Sequence, residues 1–248
     1  MQFSSTLPLS YFSEFPQKFY DAFIEKGRYK YILQGLENTL LITFFAIIIG
    51  IILGTIIALI KTAHADNPKK LKISNAICTF YLTVIRGTPI IVQLMIMWYI
   101  VFQSTNLFQS GNADRMIAAV LAFGINSGAY VAEIIRGGIQ SVDKGQVEAG
   151  RSLGLNQRDT MAKIVFPQAL KNVLPAIGNE FIALVKETSV AGYIAIQDLT
   201  KGGDTIRSIT YDALTPLFAV AAIYLLIVLG LTTLLGKLER RLHRSDKR

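Results

Sequence analysis

The stretch LLITFFAIIIGIILGTIIALI, residues 40–60, carries no charged side chain. A helix needs roughly 20 apolar residues to cross the hydrocarbon core of a bilayer, which is about 30 Å thick. Core helices of soluble proteins are usually shorter and apolar on one face only. The stretch therefore predicts a membrane-spanning helix and sets the class of the whole fold.

Four further stretches have the length and polarity of membrane spans. They are residues 73–102 with Arg86, 116–135 with Glu133, 173–197 with Glu180, Lys186 and Glu187, and 214–236 without a charge. The whole chain agrees, since 52% of its 248 residues are hydrophobic and its mean hydropathy is +0.43. We predict an all-α membrane protein with about five transmembrane helices.

The net charge of +8 is compatible with nucleic-acid binding, but the distribution of basic residues indicates a membrane orientation instead. Most Lys and Arg residues outside the spans lie in three segments, 61–72, 136–171 and 237–248. The connections that carry Lys and Arg stay in the cytoplasm. We therefore predict an N-terminus outside and a C-terminus inside, although four basic residues before the first span weaken the contrast.

Small residues recur every fourth position in the first span, at Gly50, Gly54 and Ala58. Such a ridge lets another helix approach closely. The partner helix is either within the same subunit or in a second subunit, and we favour a seam within the subunit.

A polar segment, residues 144–167, interrupts the apolar pattern on the predicted cytoplasmic side. We predict a short helix from Lys144 to Leu153 and a turn at Gly154, where the chain needs no Cβ. Asn156 with Asp159 has the pattern of an N-cap for a second helix. That helix has an apolar stripe and an expected end at a proline: Met161, Ile164, Val165 and Pro167. A short amphipathic knob of this kind suits a groove in another protein.

The same segment resembles the EAA loop of permease subunits in ABC importers. The matching positions are Glu148, Ala149, Gly150, Gly154, Ile164 and Pro167. Gly150 stands where the family commonly has alanine, and Phe166 replaces the usual leucine before the proline. Both changes are compatible with close docking.

Four other stretches extend the resemblance over most of the chain. QGLENTLLITFFA (34–46), RGTPIIVQ (86–93) and GNEFIALVKETSVAGYI (178–194) are similar to polar amino-acid permeases of the histidine, glutamine and arginine group. QDLTKGGDTIRS (197–208) is similar to permeases for basic amino acids. The resemblance implies the type I ABC importer permease fold, in the cytoplasmic membrane of a bacterium.

The resemblance also implies the partners. They are cytoplasmic ABC ATPase subunits that dock on the coupling residues Glu148, Ala149, Gly150 and Gly154, a second permease subunit (identical or related), and an extracytoplasmic substrate-binding protein. The chain has no G-x-x-x-x-G-K-[ST] loop. We therefore expect no cofactor and no enzymatic activity in this chain, with ATP and Mg²⁺ bound by the partner. We divide the chain into an N-terminal extracytoplasmic or interfacial segment (1–32), the transmembrane domain (33–237) and a basic cytoplasmic tail (238–248).

Charges within the spans point to a substrate pathway. A charged side chain at mid-membrane costs at least roughly 2.5–3.5 kcal/mol, so these residues must be paired or face a polar cavity. Glu180, Ala183 and Glu187 share one helix face, and the resemblance implies that these positions line the substrate path. Arg86 and Thr88 lie at Arg86-Gly87-Thr88-Pro89, the natural break in a second span that would measure about 45 Å as one helix.

Carboxylates on the fourth span would take the ammonium of an amino acid, and Arg86 its carboxylate. The alternative is that these charges form salt bridges between spans. We interpret Glu133 and Arg136 as a local pair without a transport role. A competing function is an ion- or proton-coupled secondary transporter that uses Glu180 and Glu187 as proton carriers; the polar segment argues against it.

Overall fold

The structure, a computed structural model, describes residues 9–104 and 111–244, and within these ranges the chain is helical without strands. Its α-helices are α1 (Leu9–Phe19), α2 (Tyr29–Asp66), α3 (Lys72–Gly87), α4 (Ile90–Met95), α5 (Asn112–Gln140), α6 (Lys144–Ser152), α7 (Gln157–Thr160), α8 (Phe166–Glu187), α9 (Leu199–Thr210) and α10 (Leu214–Arg244). Wider π-helical turns occupy Tyr20–Ile24, Ile96–Phe102 and Met161–Val165, and a 3-10 helix occupies Thr188–Ile194. The all-α prediction is confirmed.

Three helices in the described ranges are long and apolar enough to cross a membrane: α2, α5 and α10. The pair formed by α3 and residues 90–102 has the same length and composition when taken together and is bent by 107°, as in a broken span or a re-entrant loop. The bend confirms the predicted break in the second span. The fourth predicted stretch, residues 173–197, does not reach the same apolar standard because α8 carries Glu180, Lys186 and Glu187 in its second half.

Helices α2 and α5 form the central pair of the bundle, and glycines set their distance. A Cβ built on Gly50 would lie 2.8 Å from Ser127 Oγ, and one on Gly54 would lie 2.7 Å from Val131 Cβ. Ala58 is fully buried on the same ridge. The small residues of the first span therefore form a packing seam within the subunit, as predicted.

Helix α10 lies at the periphery of the bundle. Its exposed side chains include Phe218, Leu226 and Leu229. In water such a surface would be unfavourable, whereas in a bilayer acyl chains cover it. The helix continues to Arg244, so the first part of the predicted tail is helical.

Helix α9 is fixed to the N-terminal half of α2 by buried polar contacts. Asp198 is fully buried and caps α9 by accepting a hydrogen bond from the Lys201 N–H (3.0 Å). Next to it, the Leu199 N–H donates to Thr39 Oγ1 (3.1 Å), and Asn38 Nδ2 donates to the Gln197 carbonyl (2.8 Å). Burial raises the pKa of Asp198 to about 6, against the opposing effect of the nearby backbone N–H groups.

Candidate functional site: a mid-span polar cluster and a coupling segment

The break between α3 and α4 leaves backbone carbonyls without helical partners. Thr88 is extended (φ −123°, ψ 145°), and Pro89 follows it. Gln93 satisfies the freed groups, since its Nε2 donates to the carbonyls of Ile85 (2.8 Å) and Thr88 (3.1 Å). Inside a membrane, backbone groups of a broken helix persist only where such partners exist. Gln93 therefore stabilises the break.

The break is linked to a polar cluster inside the bundle, which we call the mid-span cluster: Gln93, Asn126, Ser127 and Glu180. Asn126 is buried on α5 and donates from Nδ2 to Gln93 Oε1 (3.0 Å). The next residue, Ser127, is fully buried and donates from Oγ to Glu180 Oε1 on α8 (2.8 Å). Helices α4, α5 and α8 thus contribute two hydrogen-bonded pairs, which adjoin at the sequence neighbours Asn126 and Ser127.

Glu180 is the charged member of this cluster. Among the described residues, Glu180 accepts a hydrogen bond from the Ser127 hydroxyl and is repelled by the carboxylate of Glu187, and no basic side chain forms an ion pair with it. A carboxylate accepts up to about four hydrogen bonds. The arrangement leaves Glu180 half-buried, with acceptor sites free for a cationic ligand.

Arg86 lies near a carboxylate of the protein, and its contact with the substrate stays a prediction. Its Nη1 lies 3.7 Å from Glu133 Oε1, and its guanidinium lies 5.9 Å from the centre of the Tyr130 ring. Glu133 also bonds to Arg136, with Arg136 Nε donating to Glu133 Oε2 (3.1 Å). The local pair of Glu133 and Arg136 is confirmed, and Arg86 joins it.

The other residues predicted to line the substrate path are placed as follows. Thr88 is exposed at the break, with its hydroxyl bonded to the Val84 carbonyl (2.8 Å). Ala183 and Glu187 are half-buried on α8, on the helix face of Glu180, and Glu187 is close to Lys186. Their roles stay predictions.

Sequence reasoning missed three members of the mid-span cluster, namely Gln93, Asn126 and Ser127. The available signal was modest: uncharged polar residues near the middle of an apolar span and directly after a helix break. Such residues need a hydrogen-bond partner in a bilayer. That requirement marks them as candidates but does not identify the partner.

At one end of the bundle lie residues 144–167, the segment predicted to dock on an ATPase, which we call the coupling segment. Asp143 caps α6 by accepting from the Gly145 N–H (2.6 Å). On α6, Glu148 and Ala149 are exposed, while Gly150 is buried against α7 and the following turn. A Cβ on Gly150 would lie 2.6 Å from Ile164 Cδ1. Helix α6 and the π-helical turn after α7 therefore pack closely, with Glu148 and Ala149 on the outer surface.

The turn in the coupling segment follows the predicted chemistry. Gly154 has φ +86°, a left-handed conformation that favours glycine. Asn156 Oδ1 then accepts from the Asp159 N–H (2.9 Å), and Asn156 Nδ2 donates to Asp159 Oδ2 (2.7 Å). The predicted glycine turn and the Asn156 N-cap are both confirmed.

The prediction that Pro167 ends the second helix is wrong. The chain remains helical from α7 through the π-helical turn Met161–Val165 into α8, which runs to Glu187. Proline in a helix clashes with the carbonyl four residues before it. In the wider turn the Phe166 N–H bonds to the Met161 carbonyl, five residues back, and such turns accommodate a helix irregularity.

Comparisons with known proteins give consistent matches. The family model of the binding-protein-dependent transport system inner membrane component matches residues 50–244. The arginine transport system permease protein ArtQ of Bacillus subtilis (strain 168) is 40% identical over 216 residues, 87% of this chain and 94% of that protein. The glutamine transport system permease protein GlnP of Escherichia coli (strain K12) is 37% identical over 211 residues, covering 85% and 92%.

Solved structures show the same fold. A crystal structure of an amino acid ABC transporter with histidines superposes with a TM-score of 0.77 and 42% identity, covering 86% of this chain and 94% of that one. An inward-facing structure of the MetNI methionine ABC transporter gives a TM-score of 0.67 at 21% identity, a similarity of fold alone. The family match covers residues 50–244, and the two relatives match 87% and 85% of the chain. The chain therefore belongs to the family of binding-protein-dependent transport system inner membrane components, the permeases of ABC transporters.

Proposed function

We propose that the chain is the permease subunit of an ATP-driven importer that moves a basic amino acid, of the arginine, lysine or histidine type. The observation that carries this proposal is Glu180. Its carboxylate lies inside the bundle beside a helix break, bonded to one hydroxyl and, in the described part of the chain, to no cation. An intramembrane carboxylate of this kind needs a counter-charge, and a passing substrate cation supplies one.

Two features favour a basic side chain over a neutral one. Glu187 places a second carboxylate on the face of Glu180, about 10 Å along the helix axis at 1.5 Å per residue. One carboxylate suits the α-ammonium group and the other suits a cationic side chain. The relative ArtQ is named for arginine, whereas GlnP is named for glutamine. The second carboxylate favours the first of these substrates.

The carboxylate group of the substrate needs hydrogen-bond donors in the pathway. Arg86 lies near Glu133 and Tyr130 and is half-exposed, and we keep it as a proposed partner of the substrate carboxylate. Asn126 Nδ2 carries two N–H groups, of which one donates to Gln93 Oε1. We propose that its second N–H, together with Arg86, binds the carboxylate end of the substrate.

The coupling segment transmits the energy of ATP hydrolysis by the partner to the spans. Glu148, Ala149 and the tip residue Leu153, which is 84% exposed, form an outward surface at the end of the bundle. We propose that this surface docks in a cleft of a cytoplasmic ATPase, which binds ATP and Mg²⁺. The rigid packing of Gly150 against Ile164 then transmits movement into α8, the helix that carries Glu180. Because the ATPase is cytoplasmic, this docking sets the membrane orientation of the chain, with the coupling segment in the cytoplasm and the N-terminus outside.

The remaining partners follow from the same proposal. A second permease subunit, identical or related, completes the pathway, because the spans of a single chain are too few to enclose it. A substrate-binding protein delivers the amino acid from the other side of the bacterial cytoplasmic membrane. Family membership supports these partners in general terms.

The test is transport by the purified chain with its co-expressed partners in vesicles. We expect arginine, lysine or histidine to stimulate ATP hydrolysis more than neutral amino acids do. Glu180→Gln should raise the KM for a basic amino acid about tenfold or more, because a charged hydrogen bond contributes about 1.5–3 kcal/mol. Glu239→Gln, an exposed change on α10, is the matched control and should leave the KM unchanged.

Two outcomes contradict the proposal. A normal KM for basic amino acids in both Glu180→Gln and Glu187→Gln would remove the cluster from substrate binding. Uptake that persists without ATP but collapses with the ion gradient would favour the secondary transporter.

A further inference from the structure

A basic cavity lies where the C-terminal ends of α2 and α5 meet the coupling segment. Its volume is about 570 Å³. Four basic side chains line it, from three different helices: Lys61, Arg136, Lys144 and Arg151. Asp66 is the one acidic residue in the lining, and it accepts a hydrogen bond from Gln157 Nε2 (2.9 Å). The cavity therefore has a surplus of positive charge.

Most of this positive charge is not neutralised by the protein. Arg136 is paired with Glu133. Within the described ranges, Lys61, Lys144 and Arg151 form no ion pair with a carboxylate. Like charges around one cavity repel one another, and an anion in the cavity reduces that repulsion. The cavity thus has the electrostatics of an anion-binding site.

The level of the cavity relative to the membrane indicates which anion reaches it. Lys61 directly follows the apolar stretch 40–60, and Arg136 directly follows the stretch 116–135. Both residues therefore lie at the boundary between hydrocarbon and headgroups. Basic pockets between transmembrane helices at this level bind anionic lipid headgroups. The phosphate of a phospholipid occupies the same layer.

The surface next to the cavity is suited to acyl chains. Lys61 Nζ donates to Thr79 Oγ1 on α3 (3.0 Å), which places α3 beside the cavity. The free face of α3 carries exposed apolar side chains, with Ile73 78%, Ile77 64% and Phe80 71% exposed. A lipid with its headgroup near Lys61 has an apolar helix face for its chains.

We propose that this cavity binds the phosphate group of an anionic phospholipid such as phosphatidylglycerol. The inference rests on the membrane orientation in the proposed function. The bound phosphate bridges Lys61, at the end of a span, and Lys144 and Arg151 of α6. It thereby holds α6 against the spans, so ATP-driven uptake depends on anionic lipid. A free phosphate has the same chemistry and is the other source that the experiment must separate.

The first test is lipid retention, which does not require transport. The purified transporter, with its ATPase partner, is transferred into vesicles of equal parts phosphatidylcholine and phosphatidylglycerol, and the lipids that stay bound after extraction are counted by native mass spectrometry. Lys61→Gln should retain at least threefold less phosphatidylglycerol than the unaltered protein. Lys237→Gln is the matched control, because Lys237 also directly follows an apolar stretch but does not line the cavity.

Arg151→Gln provides a second variant for the same retention measurement, should Lys61→Gln fail to fold. Equal retention by Arg151→Gln and Lys237→Gln, or by Lys61→Gln and Lys237→Gln, overturns the lipid site. Because retention is measured without substrate or ATP, its loss or persistence is independent of whether the chain imports amino acids.

The second test distinguishes lipid from free phosphate. In pure phosphatidylcholine vesicles we expect slower ATP-driven uptake, restored by phosphatidylglycerol in the unaltered protein and in Lys237→Gln but not in Lys61→Gln. Millimolar inorganic phosphate should not replace the lipid. Restoration by inorganic phosphate alone would assign the cavity to a free anion and overturn the lipid proposal.

Discussion

The coupling segment and the mid-span cluster satisfy their polar groups over very different distances along the chain. In the coupling segment, Asn156 bonds to Asp159, three residues away. In the mid-span cluster, Asn126 bonds to Gln93 and Ser127 to Glu180, over 33 and 53 residues. The coupling segment therefore holds its shape by local contacts, as a rigid docking element requires. The cluster depends on the assembly of three spans, so movement of one span changes the environment of Glu180.

The largest expected effect tests the coupling segment as a docking surface. Glu148→Arg reverses an exposed charge without a described packing role, so the subunit should fold and assemble normally. A like-charge contact in an interface costs several kcal/mol. We expect ATP-driven uptake to fall at least about 100-fold, the equivalent of roughly 3 kcal/mol. Uptake into vesicles and co-purification of the ATPase measure it.

The control for this prediction is another charge reversal at an exposed glutamate. Glu25 precedes the N-terminus of α2, whereas the coupling segment lies near the C-terminal end of that helix, so Glu25→Arg should leave uptake unchanged. Normal uptake in Glu148→Arg would contradict the docking role. A loss of uptake that accompanies loss of folded protein would attribute the effect to stability instead.

A fully buried carboxylate sharpens the comparison, because Asp198 accepts hydrogen bonds from local backbone N–H groups. Burial raises its pKa from 3.8 to about 6. Between about pH 4 and pH 6 the folded state therefore binds more protons than the unfolded state, and stability falls as pH rises through this window. Two pKa units correspond to about 3 kcal/mol.

Asp198→Asn keeps an N-cap side chain and removes this titration. We expect the variant to gain stability over the unaltered protein as pH rises from about 4 to about 6, by up to roughly 3 kcal/mol. The difference between the two unfolding midpoints in detergent, followed by the fluorescence of the single tryptophan, Trp98, measures it. A difference that is constant with pH would show that Asp198 does not titrate in this range.

The same distinction between local and distant contacts explains what the sequence reveals. Gly154 and Asn156 act on neighbouring residues, so their roles follow from residue type alone, and the break at Pro89 follows from span length and from proline chemistry. Pro167 was misinterpreted because a π-helical turn widens the helix before it. The turn has no clear signature in side-chain pattern.

The mid-span cluster was only partly predictable for the same reason. Glu180 was identified because a carboxylate in an apolar span is costly. Its partner Ser127 is one of several small polar residues in the spans, and only the three-dimensional packing selects it. Arg86 stays a predicted substrate ligand, but the sequence did not reveal that α3 brings it close to Glu133 on α5. Pairing between distant helices is decided by packing geometry, which single residues do not encode.

A smaller effect on stability and substrate KM is expected at the α2–α5 seam, where Gly50 packs against Ser127 of the mid-span cluster. Gly50→Ala places a Cβ 2.8 Å from Ser127 Oγ and 2.9 Å from Ser127 Cβ. Either α5 shifts or Ser127 rotates away from Glu180, and overpacking of this kind costs about 1–3 kcal/mol. We expect a lower unfolding midpoint and a raised substrate KM.

Gly137→Ala is the matched control on α5, since a Cβ there meets nothing within 4 Å. It should be neutral, or stabilising by about 0.5–1 kcal/mol from helix propensity. If both alanine variants behave alike in unfolding and KM, the close approach of α2 and α5 does not position Ser127.

The smallest effect is expected at the turn of the coupling segment. Gly154→Ala adds no steric contact, because a Cβ there meets nothing within 4 Å, but its φ of +86° is unfavourable for alanine by roughly 1–2 kcal/mol. The Leu155 N–H bonds to the Gly150 carbonyl (3.1 Å) and should exchange with solvent about fivefold faster per kcal/mol lost. Gly154→Asn should exchange less rapidly than Gly154→Ala, because asparagine tolerates the left-handed region. Equal exchange in both variants and the unaltered protein would mean that the turn conformation does not hold α6 against α7. The rigidity that distinguishes the coupling segment from the mid-span cluster would then come from the Gly150–Ile164 contact.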